Sequence, residues 1–158
     1  MNSKRAHTVA IHQPAYLPWL GYFERIFRSD VFVFLDSVQF EKNSFTNRNK
    51  IKTAHGEQWL TVPVKAKGHT ELSIAELGIA DGEPWQKKHL KAIQLNYAKA
   101  RYFSELFPKL EALYASKATT LADLCFNQLR FWLGELQIER EIIRSSTMTL
   151  EKKKSALV

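Results

Sequence analysis

The sequence predicts an α/β fold of three layers around a short parallel sheet, with an inserted β-hairpin and a helical C-terminal half. Three observations carry this. A short apolar strand, Thr8 to Ile11, is followed by a helical apolar pattern and then by a second apolar strand, Val31 to Leu35. Strand, helix and strand within about 30 residues make a βαβ unit with a right-handed crossover. The stretch from Arg48 to Val64 then changes texture to that of a hairpin, and helical spacing dominates from Pro84 onward.

Each element has its own local reason. From Trp19 to Arg28, apolar Trp19, Leu20, Tyr22, Phe23, Ile26 and Phe27 recur at helical spacing. Pro18 suits the first turn, where a missing N–H costs nothing. The Val31 to Leu35 run is β-branched and aromatic, as in a parallel strand covered on both faces. Arg48 to Thr53 and Gln58 to Val64 flank Ala54-His55-Gly56-Glu57, a hairpin with Gly56 in the turn. Leu72 to Ile79 reads as another extended piece. Helices are expected over Pro84 to Ala98, Ser104 to Tyr114 and Thr120 to Leu136, and a last strand over Ile138 to Ile143. There is no linker, repeat or low-complexity stretch. Residues 1–158 therefore form one domain, and the helical pattern that opens at Leu150 ends at Val158 so soon that the domain is expected to be C-terminally incomplete.

Bulk properties exclude several classes. A 158-residue chain buries roughly 70% of its unfolded surface and needs no disulfide or metal to fold. The single cysteine, Cys125, sits in a helical apolar pattern, which rules out a disulfide framework and a cysteine zinc site. No signal-like h-region or membrane-length apolar run occurs, so membrane insertion is not expected and a cytoplasmic location is. The net charge of +7 collects around Lys50 to Lys67 and at Lys152-Lys153-Lys154. It fits an anionic ligand, nucleic acid such as tRNA, or simply a solvated surface.

The chemistry-bearing residues cluster just past strand ends, where an open α/β sheet places its ligand crevice. His12 ends the first strand beside Gln13. A histidine there can act as general acid or base, bind a phosphate, or only brace its loop. Pro14 and Pro18 stiffen that loop, in which Tyr16 and Trp19 are the rings placed for stacking. Asp36 ends the second strand, where an acid can meet a ribose, cap the strand or pair with Arg48; no G-x-G-x-x-G follows the first strand, so a nicotinamide site is excluded. Arg48 lies between Asn47 and Asn49 and suits a bidentate grip on phosphate or carboxylate, or an ion pair with Asp36 or Glu41. Gln39 and Asn43 supply neutral hydrogen bonds.

Trp59, Trp85 and Trp132 read as core or anchoring residues, and His55 and His69 as surface residues. His89 shares a helix face with Trp85 at i, i+4 and is either structural or a crevice residue. Ser145 and Ser146 end the last strand before a helix start, where hydroxyls cap and free N–H groups attract anions. No H-x-x-E-H, C-x-x-C, paired-carboxylate arrangement or nucleophile elbow is present, so a metal site is not expected, and the residues identify no cofactor.

Taken together, His12-Gln13-Pro14, Tyr16-Leu17-Pro18-Trp19, Gly21-Tyr22-Phe23, Leu35-Asp36, Val38-Gln39-Phe40, Asn47-Arg48-Asn49, Trp59 to Val64, the Trp85 and His89 helix and Ser145-Ser146 resemble the WbqC-like protein family. The resemblance covers nearly the whole chain. It implies a bacterial setting in O-antigen (lipopolysaccharide) or other surface-glycan biosynthesis and a transferase acting on amino-sugar or glycan precursors, by acyl or aminoacyl transfer. A fainter fold-level likeness is to the HUP-type nucleotidylyltransferases with the HIGH motif. Trp19-Leu20-Gly21-Tyr22 stands where those have H-x-G-H, and Ile143-Arg144-Ser145-Ser146-Thr147 stands at their later serine motif. Both histidines are replaced, which removes the groups that stabilise phosphate charge.

The resulting expectation is a group-transfer site for an anionic, nucleotide-sugar-like substrate, with His12 and Asp36 as reacting groups. Gln13, Tyr16, Trp19, Tyr22, Gln39, Asn43, Asn47, Arg48, Asn49, His89, Ser145 and Ser146 would bind the ligand. The rival expectations are a basic tRNA-binding module and a degenerate assembly partner. Unpartnered apolar residues near Leu157 also suggest a homo-oligomer.

Overall fold

The computed structural model describes residues 7–65 and 72–149. Its centre is a three-stranded parallel sheet of β1 (Val9–His12), β2 (Val31–Phe34) and β5 (Glu141–Arg144), in the order β1-β2-β5. The register sets Val9, Val31 and Glu141 side by side at one end and His12, Phe34 and Arg144 at the other. The C-terminal ends of all three strands therefore share one edge. Helix α1 (Leu20–Arg28) crosses from β1 to β2.

The hairpin is present as β3 (Arg48–Thr53) and β4 (Gly56–Thr61), joined by Ala54 and His55. Gly56, at φ +120°, follows the turn in a conformation that L side chains rarely adopt. Helices α2 (Trp85–Tyr97), α3 (Phe103–Ala115) and α4 (Leu121–Glu135) fall within a residue or two of the expected ranges. Thr120 caps α4 by accepting from the Asp123 N–H at 3.2 Å. The expected extended piece over 72–79 is reduced to isolated bridges, Gln39 with Ser73, Val64 with Ile79 and Gly78 with Thr120. The final strand starts three residues later than its apolar pattern suggested.

Side chains alternate across the sheet, and the two faces fare differently. Phe32 and Phe34 are buried. Tyr22 of α1 meets Phe32 at 5.4 Å between ring centroids, and Phe126 of α4 meets Phe34 at 5.3 Å. Both helices thus lie against the same face. On the other face Val9 and Ile11 are 53% and 41% exposed, beside half-buried Val31, Val33 and Ile143. Among the described residues the sheet has helices on one face only, and the second helical layer expected from the apolar β2 run is not among them.

No described helix is long and apolar enough to cross a membrane. Cys125 is buried, and burial pushes its thiol well above the ordinary value. His69 and the Leu150 to Val158 pattern lie outside the described residues.

Candidate functional site

The loop after β1 is shaped by its own hydrogen bonds. Leu17 sits at φ +46°, a left-handed conformation that a branched side chain resists. Asn49 holds it there, its Nδ2 donating to the Leu17 carbonyl at 2.6 Å and to the Tyr16 carbonyl at 3.3 Å. The Leu17 N–H donates in turn to Gln128 Oε1 at 3.3 Å. Asn47 donates to the Val62 carbonyl at 2.9 Å and is buried. The two asparagines on either side of Arg48 therefore tie the hairpin to its surroundings with the amide groups that a ligand would need.

His12 is the best-placed reactive group. Its Nδ1 lies 3.0 Å from the Gln13 carbonyl, which can only accept, so Nδ1 carries a proton and, in the neutral ring, Nε2 holds the lone pair. The same carbonyl accepts from the Tyr22 hydroxyl at 3.0 Å, which fixes the acceptor. No hydrogen bond to Nε2 is found among the described residues. The imidazole packs edge-on to Tyr22 at 4.9 Å and Trp19 at 5.7 Å between centroids.

From Trp19 a ribbon of exposed rings continues across the surface. Trp19 meets Phe45 at 5.8 Å, and Phe45 meets Trp59 at 5.9 Å. These rings are 43%, 47% and 42% exposed in that order. The Arg48 guanidinium carbon lies 4.3 Å and Lys50 Nζ 5.0 Å from the Trp59 centroid. Arg48 also donates from Nη2 to the Asn43 carbonyl at 2.7 Å, while Lys50 pairs with Glu57. His12 and Arg48 thus stand at the two ends of one aromatic surface.

Several residues expected at the ligand serve the framework instead. Asp36 is fully buried and saturated. Oδ1 accepts from the Ser146 N–H at 2.8 Å and the Ser145 hydroxyl at 3.1 Å, and Oδ2 from Arg144 Nε and the Ser146 hydroxyl, both at 2.8 Å. Its cation is Arg144, not Arg48 or any hairpin residue. Ser145 and Ser146 open only a three-residue 3₁₀ turn, and the anion at its free N–H is the Asp36 carboxylate itself. Arg144 reaches on to Asp123 at 2.7 Å, so the cluster clamps β2, β5 and α4 together.

Tyr16 and Tyr22 are buried, so neither presents a face for stacking. The Tyr16 hydroxyl bonds His89 Nδ1 at 2.7 Å and the Tyr114 hydroxyl, and His89 also hydrogen-bonds the Thr61 backbone. Burial pushes the Tyr16 hydroxyl well up, the Tyr114 hydroxyl up to about 12, and His89 down to about 4. Gln39 and Asn43 are exposed; Asn43 holds φ +63°. Trp85 is buried as expected, Trp132 is half-buried, and Trp59 is a surface ring rather than a core residue. Phe45 went unread in the sequence, although an aromatic between Ser44 and Thr46 in a polar loop is a signal of that kind.

A cavity of about 380 Å³ opens beside the ribbon, with Trp59 and Trp85 as walls and Gln58, Thr61, Lys88 and His89 among its lining. No group of three potential metal ligands occurs among the described residues.

The family model described as the WbqC-like protein family matches residues 13–158. The chain belongs to the WbqC-like family. A relative in Mycobacterium tuberculosis (strain H37Rv), the uncharacterized protein Rv1507c, is 40% identical over 121 residues, which are 77% of this chain and 52% of the relative. The chain spans about half the length of the curated relative it matches. No solved structure matches it significantly.

Proposed function

We propose that this WbqC-like protein carries a group-transfer site for an anionic ligand of the nucleotide or nucleotide-sugar class. The observation that carries the reading is the orientation of His12. With Nδ1–H held by the Gln13 carbonyl, the Nε2 lone pair is left to accept a proton from an attacking hydroxyl or amine. Trp19 beside it offers a ring for stacking, and Arg48 and Lys50 offer charge for a phosphate or carboxylate. Asp36 acts at a distance by holding the C-terminal ends of β2 and β5 in place.

The family's usual setting makes an amino-sugar or surface-glycan precursor the acceptor, with an acyl or aminoacyl group transferred. The same reading takes the parallel sheet as the centre of a three-layer, HUP-like fold in which further chain covers the Val9, Ile11 and Val33 face. Calorimetry against UDP-sugars, ATP and acyl or aminoacyl donors tests the ligand class. Binding of at least one nucleotide ligand, weakened tenfold or more by Arg48→Gln, is expected. If none binds at millimolar concentration, the proposal fails.

A further inference from the structure

The aromatic ribbon is an unusual surface for a small ligand. Small-molecule sites are concave and enclose most of the ligand, whereas Trp19, Phe45 and Trp59 lie along an open face, each more than two-fifths exposed. Their ring centroids are 5.8 and 5.9 Å apart, with interplanar angles of 58° and 38°. Cations accompany the last ring, with Arg48 and Lys50 both within 5.0 Å of its centroid. Glu57 pairs with Lys50. A planar group that recurs every few ångströms, joined by a phosphate at each step, is the complement of such a face. Single-stranded nucleic acid has this pattern, because every base offers a π-face and every linkage a negative charge.

We propose that Trp19, Phe45, Trp59, Arg48 and Lys50 form a stacking platform for a single-stranded polynucleotide. The inference rests on the group-transfer reading for the role of His12 and extends its nucleotide-class ligand to a strand whose terminal nucleotide reaches the imidazole. A strand lying from Trp59 to Trp19 brings its end to the imidazole. The overall charge of +7 favours the encounter.

Fluorescence anisotropy with labelled oligo-dT and oligo-U of eight nucleotides tests this and separates DNA from RNA as the source. Binding of at least one is expected at 50 mM salt. It should weaken about sevenfold by 200 mM, the fall for release of counterions from two phosphate contacts on a single strand. Trp19→Ala and Trp59→Ala should each lose about tenfold or more in affinity. Lys117→Gln removes a charge from the loop between α3 and α4, where Lys117 lines a different cavity that none of the three rings borders, and should change affinity less than twofold. Circular dichroism checks that the variants fold, which is expected because the rings are exposed. Three results overturn the inference: no binding of either strand at 50 mM salt, binding indifferent to both tryptophans, or equal loss with Lys117→Gln. UDP-sugar or ATP binding without oligonucleotide binding sinks this inference and leaves the group-transfer reading standing. Oligonucleotide binding unaccompanied by any nucleotide, acyl or aminoacyl ligand does the reverse.

Discussion

His89 should make this protein lose stability in mild acid, by an amount that can be worked from its surroundings. Its ring lies on α2 against the β1–α1 loop, with Nδ1 2.7 Å from the Tyr16 hydroxyl. Burial lowers its pKa from 6.5 to about 4. Because the folded pKa lies below the unfolded one, the unfolded chain binds the proton first as pH falls. The stabilisation is therefore complete above about pH 6.5 and disappears as pH drops toward 4. A separation of 2.5 units at about 1.4 kcal/mol each gives a full loss of about 3 kcal/mol, of which about 2 kcal/mol is gone by pH 5. Urea unfolding at pH 7.5 and pH 5 of wild type and His89→Gln isolates the effect. Glutamine keeps one donor and one acceptor but does not titrate. Wild type should lose about 2 kcal/mol more than the variant over that interval. Equal losses would refute the assignment of His89 as a buried, neutral imidazole.

Other consequences are equally direct. Asp36→Asn leaves Arg144 without its buried partner and should cost about 2–4 kcal/mol in urea unfolding at neutral pH; a cost below about 1 kcal/mol would show that the clamp does not hold the strand ends. Phe34→Ala should cost about 3–5 kcal/mol. Ile11→Asp, one residue before the paired position and on the opposite face, should cost about 2 kcal/mol or more when a third layer covers that face, and a cost below about 1 kcal/mol would contradict the three-layer reading. Cys125, buried with its thiol pushed up, should react with a thiol reagent only as fast as the chain unfolds, so prompt labelling in native buffer would contradict the packing of α4.

Much of the fold was readable because it rests on local pattern. The apolar run from Val31 to Leu35, the helical spacing after Pro18 and the Gly56 turn each depend on neighbours within a few residues. The site was only half readable, since identity and spacing do not say which way a side chain points. Tyr16 and Trp19 sit three residues apart in one stiff loop, yet one is buried against His89 and Tyr114 and the other is exposed. Asp36 lies twelve residues before Arg48, but its partners, Arg144 and Ser146, come more than a hundred residues later. Strand register, which single residues do not encode, brings them together. The β2 run also overstated its surroundings, because its chemistry suits two covered faces and the described residues cover one.

The group-transfer reading requires that the neutral His12 ring present its Nε2 lone pair to a nucleotide-class ligand beside Trp19. Long-range ¹⁵N–¹H spectra of the His12 ring, recorded with and without UDP-sugar and oligonucleotide, test it most directly. The proton of the neutral ring is expected on Nδ1, and the Nε2 resonance is expected to shift when one of these ligands is added. A ring protonated on Nε2, and unmoved by any of them, would contradict it.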